Sequence, residues 1–491
     1  MAAGDAPGRS WGIAAVLFVV GWLLVLLGAA MLLPMLADMA AGEADWLSFA
    51  GSSIFTAFIG VLLVLANRRP RPDLQFRSIF LLTTLSWIAM VAFSSLPFQL
   101  GPYHLSLTDA VFEAMSGLTT TGSTVMTGLD RAPPGILLWR SLLQGLGGVG
   151  IIVMAIVLLP FLRVGGMQLF RTESSDRTEK LLPSTVAMVS RIVGVYLLMM
   201  LACTLALSTA GMSLFDATNH GITAVATAGF STRDASVGGF QNPAAEWIIT
   251  LFMFVGALPL VRFVALLQGR PRLLLRDSQV RVFSLFCVLV ILVVTFWLVV
   301  GQGREIHAAL RLAAFNCVSI ITTTGFATDD YQLWGSPAIA LFLALTIVGG
   351  CTGSTAGGIK TFRFEILWTA AQLYLVSLFL PNRVHRPRYD DQPIDNEIIF
   401  AVLSFVFLFI GSWGVLTVLL GALGLDLVTA LSAAATALAN VGPGLGTIIG
   451  PAGNFQPLSA PVKWVLTLAM LLGRLEFFTV LVLFHPAFWR R

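Results

Sequence analysis

Charge is scarce in this sequence. Only 11% of its 491 residues are Asp, Glu, Lys or Arg, against roughly a quarter in an average soluble protein, which excludes an ordinary water-exposed globular surface. Cysteine is rarer still: Cys203, Cys287, Cys317 and Cys351 all fall in apolar stretches, where they read as small packing residues rather than a disulfide framework or metal site. The five histidines, His104, His220, His307, His385 and His485, are scattered, and none has a Cys, His or carboxylate partner at ligand spacing, so no transition-metal site is expected. Paired carboxylates and a His constellation are missing too, leaving a membrane-embedded enzyme without an acid, base or nucleophile. The longest polar stretches expected on the cytoplasmic side, about 163–184 and 381–397, are too short for a nucleotide-binding fold.

What is present is apolar: 57% of residues are hydrophobic and the mean hydropathy is +0.88. Runs of about 20 apolar residues separated by short basic segments define an all-α polytopic membrane protein. The first run, Trp11 to Leu33, is longer than the roughly 7–15 residues of a signal core and reads as a span. Ten spans are expected, at about 12–33, 47–66, 78–97, 136–162, 185–209, 246–267, 280–300, 337–380, 398–421 and 462–485.

Positive charge gives the orientation, because Lys and Arg in short loops stay cytoplasmic. Arg68, Arg69, Arg71 and Arg77 form one cluster; Arg163, Arg171, Arg177, Lys180 and Arg191 a second; Arg262, Arg270, Arg272, Arg276 and Arg281 a third; Arg383, Arg386 and Arg388 a fourth. With Arg9, Arg490 and Arg491 they make 20 of the 29 Lys and Arg, and both termini are expected in the cytoplasm. The opposite side holds Arg131, Arg140, Arg233, Arg304, Arg311 and Lys463. Lys360, Arg363 and Arg474 remain, in or beside apolar stretches where charge is costly and usually functional.

The outward-facing segments after the third, fifth, seventh and ninth spans are semi-apolar and too short to cross the membrane twice, so they read as re-entrant loops. Backbone of that kind is tolerated at membrane depth only where it is buried in protein or lines a watery path. Aligned on Gly122, Gly229, Gly325 and Gly442, they read SGLTTTGST, AVATAGFST, SIITTTGFAT and LANVGPGLG, at separations of 107, 96 and 117 residues. The chain therefore reads as a two-span leader (1–70) followed by four pseudo-repeated units, at 71–165, 166–270, 271–390 and 391–491. Six positions before each glycine stand Ser116, Thr223, Ser319 and Thr436. Thirteen positions before it, Asp109, Asp216 and Thr429 suit the N-cap of a short helix, whereas Leu312 does not.

This pattern suits replacement of a cation's hydration shell by backbone carbonyls, which a potassium filter achieves with four Thr-x-Gly loops around an axis. Glycine adopts cheaply the backbone angles that turn successive carbonyls to one side. The candidate filter is Thr120, Thr121 and Gly122; Thr227, Ala228 and Gly229; Thr323, Thr324 and Gly325; and, more loosely, Asn440, Val441 and Gly442. Any one segment alone is equally a flexible turn; the register of four is the signal. Each preceding helix would aim the negative end of its dipole at the ion path, so the filter needs no carboxylate.

These residues resemble the Trk, Ktr and HKT family of potassium transporters, and within it the bacterial TrkH type. The resemblance rests on FEAMSGLTTTGST (112–124), GFSTRDAS (229–236), TTTGFAT (322–328), GGCTGSTAGGIK (349–360), NVGPGLG (440–446) and LLGRLEFFTVLVLF (471–484), and covers nearly the whole chain. Ala228 and the GALPLVRF run (256–263) depart from the family pattern. The resemblance implies potassium uptake across a bacterial inner membrane, with K+ as cargo and no cofactor on this chain. It also implies a homodimer in lipid bearing a cytosolic TrkA-like ring of nucleotide-binding RCK domains; no nucleic-acid partner is expected. A Na+-coupled or Na+-permeable transporter of the same fold is the alternative, against which Gly122 argues.

The segment with Gly349, Gly350, Gly353, Ser354, Thr355, Gly357, Gly358 and Lys360 breaks the phosphate-loop pattern, because Ile359 separates Gly358 from Lys360. A glycine kink in a helix would account for it; the resemblance implies instead an intramembrane gate below the filter. Arg474 reads either as a structural group paired with Glu476 or another polar partner, or as a pore-facing electrostatic barrier that steadies the gate loop, the role implied by the family's last-span arginine. Lys360 is a second barrier or reaches toward cytoplasmic headgroups.

Overall fold

The computed structural model describes residues 10–68, 76–162, 185–380, 387–390 and 392–489. Arg9, Arg69, Arg71, Arg163, Arg171, Arg177, Lys180, Arg383, Arg386, Arg490 and Arg491, on which much of the orientation argument rests, lie outside them. The described residues are nearly all helical; among them one two-stranded antiparallel sheet pairs Arg388–Tyr389 with Gln392–Pro393. Among the described residues seven helices are long and apolar enough to cross a membrane, or nine if each bent pair is one span. Two of them stay largely uncovered: only 28% of an apolar 18-residue stretch of Ser278–Gln302 and 17% of one in Asn396–Ala422 is buried, as suits lipid-facing helices.

The leader is a hairpin of Ser10–Ala30, continued by Leu32–Ala41, packed on Trp46–Ala66. The first span thus runs past the expected Leu33. Glycines allow the close approach: a Cβ built on Gly60 would lie 2.7 Å from Gly21 O, and one on Gly21 2.8 Å from Gly60 O. Four units follow, each a spanning helix, a short descending helix, an extended strand and a return helix. The descending helices are Leu107–Leu118, Leu214–Val225, Ile306–Ile321 and Leu427–Ala439.

Their starts correct the expected caps. Ser106, Ser213 and Asp426 cap them, each side-chain oxygen accepting a backbone N–H three residues on, at Asp109, Asp216 and Thr429. Asp109 and Asp216 sit one turn inside, where Ser106 Oγ and Ser213 Oγ donate back to their carboxylates at 2.8 and 2.7 Å. The third helix starts earlier, so Leu312 lies in its interior.

The return helices differ more than the sequence suggests. In the first unit Pro134–Leu162 is continuous. The second is broken between Pro243–Gly256 and Leu260–Leu267, which meet at 99°. Pro259, the residue before Leu260, cannot donate the hydrogen bond that would continue the helix, and GALPLVRF is therefore a corner. The third, expected over 337–380 with a break at its glycine-rich segment, is two helices, Ser336–Ile347 and Thr361–Phe379, separated by the loop 348–360. The fourth breaks between Ala460–Arg474 and Phe478–Phe484 at 112°, with Glu476 and Phe477 at φ of 56° and 44°. Two consecutive non-glycine residues in the left-handed region cost about 1–2 kcal/mol each, and an ion pair at Glu476 helps hold them.

Candidate functional site

Each descending helix ends in the same way. The N–H of Thr121, Ala228, Thr324 and Val441 donates to the carbonyl of Ser116, Thr223, Ser319 and Thr436, at 2.9, 3.0, 2.8 and 3.0 Å. The hydroxyl-bearing residue six before each glycine thus supplies a backbone carbonyl in all four units. Its side chain is used unevenly: Ser319 Oγ donates to Phe326 O at 2.6 Å, Thr436 Oγ1 accepts from Gly442 N at 2.9 Å, and Ser116 Oγ has no partner among the described residues.

The strands that follow share one backbone rhythm. Thr120, Thr227, Thr323 and Asn440 lie at φ of 53°, 48°, 56° and 55°, and Gly122, Gly229, Gly325 and Gly442 at 88°, 79°, 85° and 115°. Two left-handed residues flanking one that is not turn the intervening peptide planes alike in every unit. Glycine solves the second position; threonine or asparagine bears the cost at the first.

The four strands close on one another. A Cβ built on Gly122 would meet Ala228 O, one on Gly229 would meet Thr324 O, and one on Gly325 would meet Val441 O. One on Gly442 would lie 2.8 Å from Thr121 O. Each glycine therefore seats against the next unit's carbonyl, and the fourth returns to the first. The outer loops repeat the closure. Asp234 accepts from Gly128 N at 3.0 Å and Leu129 N at 3.1 Å, and Gly238 N donates to Ala327 O at 3.1 Å. Gly446 N donates to Gln332 Oε1 at 2.6 Å, and Phe455 N to Thr124 O at 2.9 Å.

Sequence reading missed the residues that anchor these strands from behind. Nine positions before the glycine stand Glu113, His220 and Asn316, all fully buried. Glu113 accepts from Thr124 Oγ1 at 2.9 Å, Val125 N at 2.9 Å and Arg140 Nε at 2.8 Å. His220 Nε2 lies 2.9 Å from Ser231 Oγ, and Asn316 Oδ1 accepts from Thr328 N at 3.2 Å. In the fourth unit that position is Ala433, and Ser432 Oγ instead accepts from Leu445 N at 2.8 Å. A polar residue in register on three semi-apolar helices was the available signal.

The loop 348–360 lies against the inner ends of three strands. Gly357 N donates to Thr323 Oγ1 at 2.6 Å, the Thr355 and Thr227 hydroxyls are 3.0 Å apart, and Gly358 N donates to Ala439 O at 2.8 Å. Its other edge docks on the corner of the second return helix, where Cys351 N donates to Ala257 O at 2.9 Å and Leu260 N to Gly353 O at 3.1 Å. Thr355 Oγ1 lies 3.1 Å from Val225 O and 3.1 Å from Gly256 O. Gly349 and Gly357 are needed for contact: a Cβ on the first would meet Gly357 O, and one on the second Ala439 O. Lys360 Nζ bonds back to Ala356 O.

Arg474 is 3% exposed, and its Nη1 donates to Thr355 O at 3.1 Å. Its Nε and Nη2 have no hydrogen-bond partner among the described residues. The expected Glu476 partner is taken: Glu476 pairs with Arg363 Nη2 at 2.8 Å. The left-handed step at residues 476 and 477 separates Glu476 from the helix that carries Arg474, and Arg363 lies 3.6 Å over the Phe405 ring. Arg363 is therefore the structural arginine.

Among the described residues no group of three or more His, Cys, Asp or Glu converges on a common point, and the four cysteines are buried and free. Fold and site together define a polytopic membrane protein with four re-entrant strands closed around one axis. The profile of the TrkH family, described as a cation transport protein, matches residues 47–491. The chain is 45% identical over 484 residues to the Trk system potassium uptake protein TrkI of Halomonas elongata, covering 98% of each. It is 36% identical over 478 residues to Trk system potassium uptake protein TrkH of Escherichia coli K12, covering 96% of this chain and 98% of that one. The crystal structure of the potassium transporter TrkH from Vibrio parahaemolyticus superposes with a TM-score of 0.90 at 34% identity, covering 97% of this chain and all of that one. The chain belongs to the TrkH family and is a transport protein rather than an enzyme.

Proposed function

We propose that this protein takes up potassium through the ring of four strands, with the loop 348–360 as its gate. The observation that supports this most is the closure of four left-handed, non-left-handed, left-handed strands in register, each glycine seated on its neighbour's carbonyl. Backbone carbonyls of Thr120, Thr121, Gly122 and their counterparts at 227–229, 323–325 and 440–442 replace water around a K+ ion, aided by the dipoles of the four descending helices. Gly349, Gly350, Gly353, Ser354, Thr355, Gly357 and Gly358 occlude the path beneath, and Arg474 and Lys360 repel cations there. Relatives named as potassium uptake proteins support the choice of ion.

The units divide at about residues 70, 165, 270 and 390. The protein acts as a homodimer in a bacterial inner membrane, with both termini cytoplasmic and a TrkA-like nucleotide-binding ring on its cytoplasmic face. Flux of potassium, rubidium and sodium into proteoliposomes holding the chain tests the reading: potassium and rubidium entering well above sodium supports it, and equal sodium flux favours the Na+-permeable alternative.

A further inference from the structure

The four strands are not anchored alike, and the difference has a twofold pattern. In the first and third units threonine stands three and one positions before the glycine, and the two hydroxyls bond each other: Thr119 and Thr121 at 2.7 Å, Thr322 and Thr324 at 2.8 Å. Thr119 Oγ1 donates to Met115 O at 2.7 Å and Thr322 Oγ1 to Val318 O at 2.7 Å, so the strand hydroxyl is the donor within each pair and ties the strand to its own helix. The second and fourth units have Ala226 and Ala228, and Ala439 and Val441, at these positions and can form no such pair.

Both use an amide instead. In the fourth unit Asn440 Nδ2 lies 3.0 Å from Thr121 Oγ1 and 3.0 Å from Met470 O. In the second unit the amide comes from outside. Gln144, fully buried on the first unit's return helix, donates from Nε2 to Ala228 O at 2.5 Å and accepts at Oε1 from Phe230 N at 3.0 Å. It therefore grips the peptide groups on both sides of Gly229.

We infer that Gln144 is a positioning residue that determines ion selectivity, holding the second strand in place of the hydroxyl pair its unit lacks. The inference rests on the filter reading above. Ala228 O is the carbonyl against which Gly122 seats, so looseness in the second strand reaches the first. A carbonyl oxygen has two lone pairs, and Gln144 engages one while fixing the direction of the other. Potassium and sodium differ little in radius, so selectivity depends on how firmly the carbonyls are held or how many can converge.

Potassium and sodium flux in proteoliposomes would be compared for the parent, Gln144→Met, Gln144→Met with Ala226→Thr and Ala228→Thr, and Gly122→Ser. Gln144→Met removes both bonds at similar volume and is expected to lower the potassium-to-sodium ratio about tenfold, the scale of a lost buried hydrogen bond, while rubidium still enters. The two threonines should restore the ratio. A Gln144→Met protein with the parent ratio overturns the inference, and so does a loss that the threonines fail to restore, which would make Gln144 a packing residue. Failure of both Gln144 variants to fold would overturn it as well, for the same reason. Gly122→Ser separates the two levels: if it keeps the parent ratio the filter reading fails, whereas if it alone loses selectivity only the role of Gln144 fails.

Discussion

A single substitution at Arg474 separates a barrier from a scaffold. The guanidinium is buried, holds the loop 348–360 through Thr355 O at 3.1 Å, and leaves Nε and Nη2 without hydrogen-bond partners among the described residues. A K+ ion passing at about 6 Å, with an effective dielectric near 20, meets a repulsion of about 3 kcal/mol, enough to slow passage about a hundredfold. Arg474→Ala removes that repulsion and the bond to the loop together. Because Glu476 keeps its partner Arg363, no carboxylate is stranded and the protein should remain folded. Arg363→Met is the contrast: it leaves Glu476, itself one of the two left-handed residues, without its ion-pair partner, at a cost of about 3 kcal/mol, and should lower yield and thermal stability without opening the path. The assay is potassium flux per folded molecule, with folded protein counted by size-exclusion chromatography. An Arg474→Ala protein that is monodisperse and no leakier than the parent would refute the barrier.

Other outcomes follow from the same geometry. Gly122→Ser should lose potassium preference, and Gly325→Val should abolish growth of a potassium-uptake-deficient host at low potassium, because a side chain at φ 85° would strike Val441 O; unchanged growth with normal expression would sink the ring. Deleting residues 351–357 should raise potassium flux while selectivity persists, since the loop lies at the inner ends of the strands; lost selectivity would mean that it supports the filter itself. Hydrogen bonds from Thr429 hold the Asp426 carboxyl below the usual carboxylate range. The stability it contributes, about 1 kcal/mol as a helix cap, is present above the ordinary carboxylate pKa and is lost as pH falls through the lowered value. Asp426→Asn should flatten that acid dependence in thermal unfolding, and an unchanged acid limb would show that other carboxylates set it.

The membrane class, the fourfold repeat and the left-handed glycines of the four strands were legible in the sequence because each is set by local chemistry. Spans need apolar length, and a left-handed backbone step needs Gly, or an Asn or Thr held in place. The same local reasoning placed the cap regions within a few residues but named Asp109 and Asp216 instead of Ser106 and Ser213, since the capping oxygen and the residue it bonds are both polar and only helix phase tells them apart.

The tertiary structure alone decided what depends on residues far apart in the chain. Glu476 or another polar group was the expected partner of Arg474; the left-handed step separates Glu476 from that helix, Arg363 from another unit takes it, and Thr355 O accepts from Arg474 instead. The corner at Gly256 to Leu260 became legible only when the loop 348–360 was seen docked against it. Gln144 carried no signal at all: a lone glutamine in an apolar helix gains its meaning from a strand 84 residues away. Local sterics set each unit's backbone, whereas the closing of four units into one ring places the carbonyl of one unit against the glycine of its neighbour around the axis, and that is settled by packing.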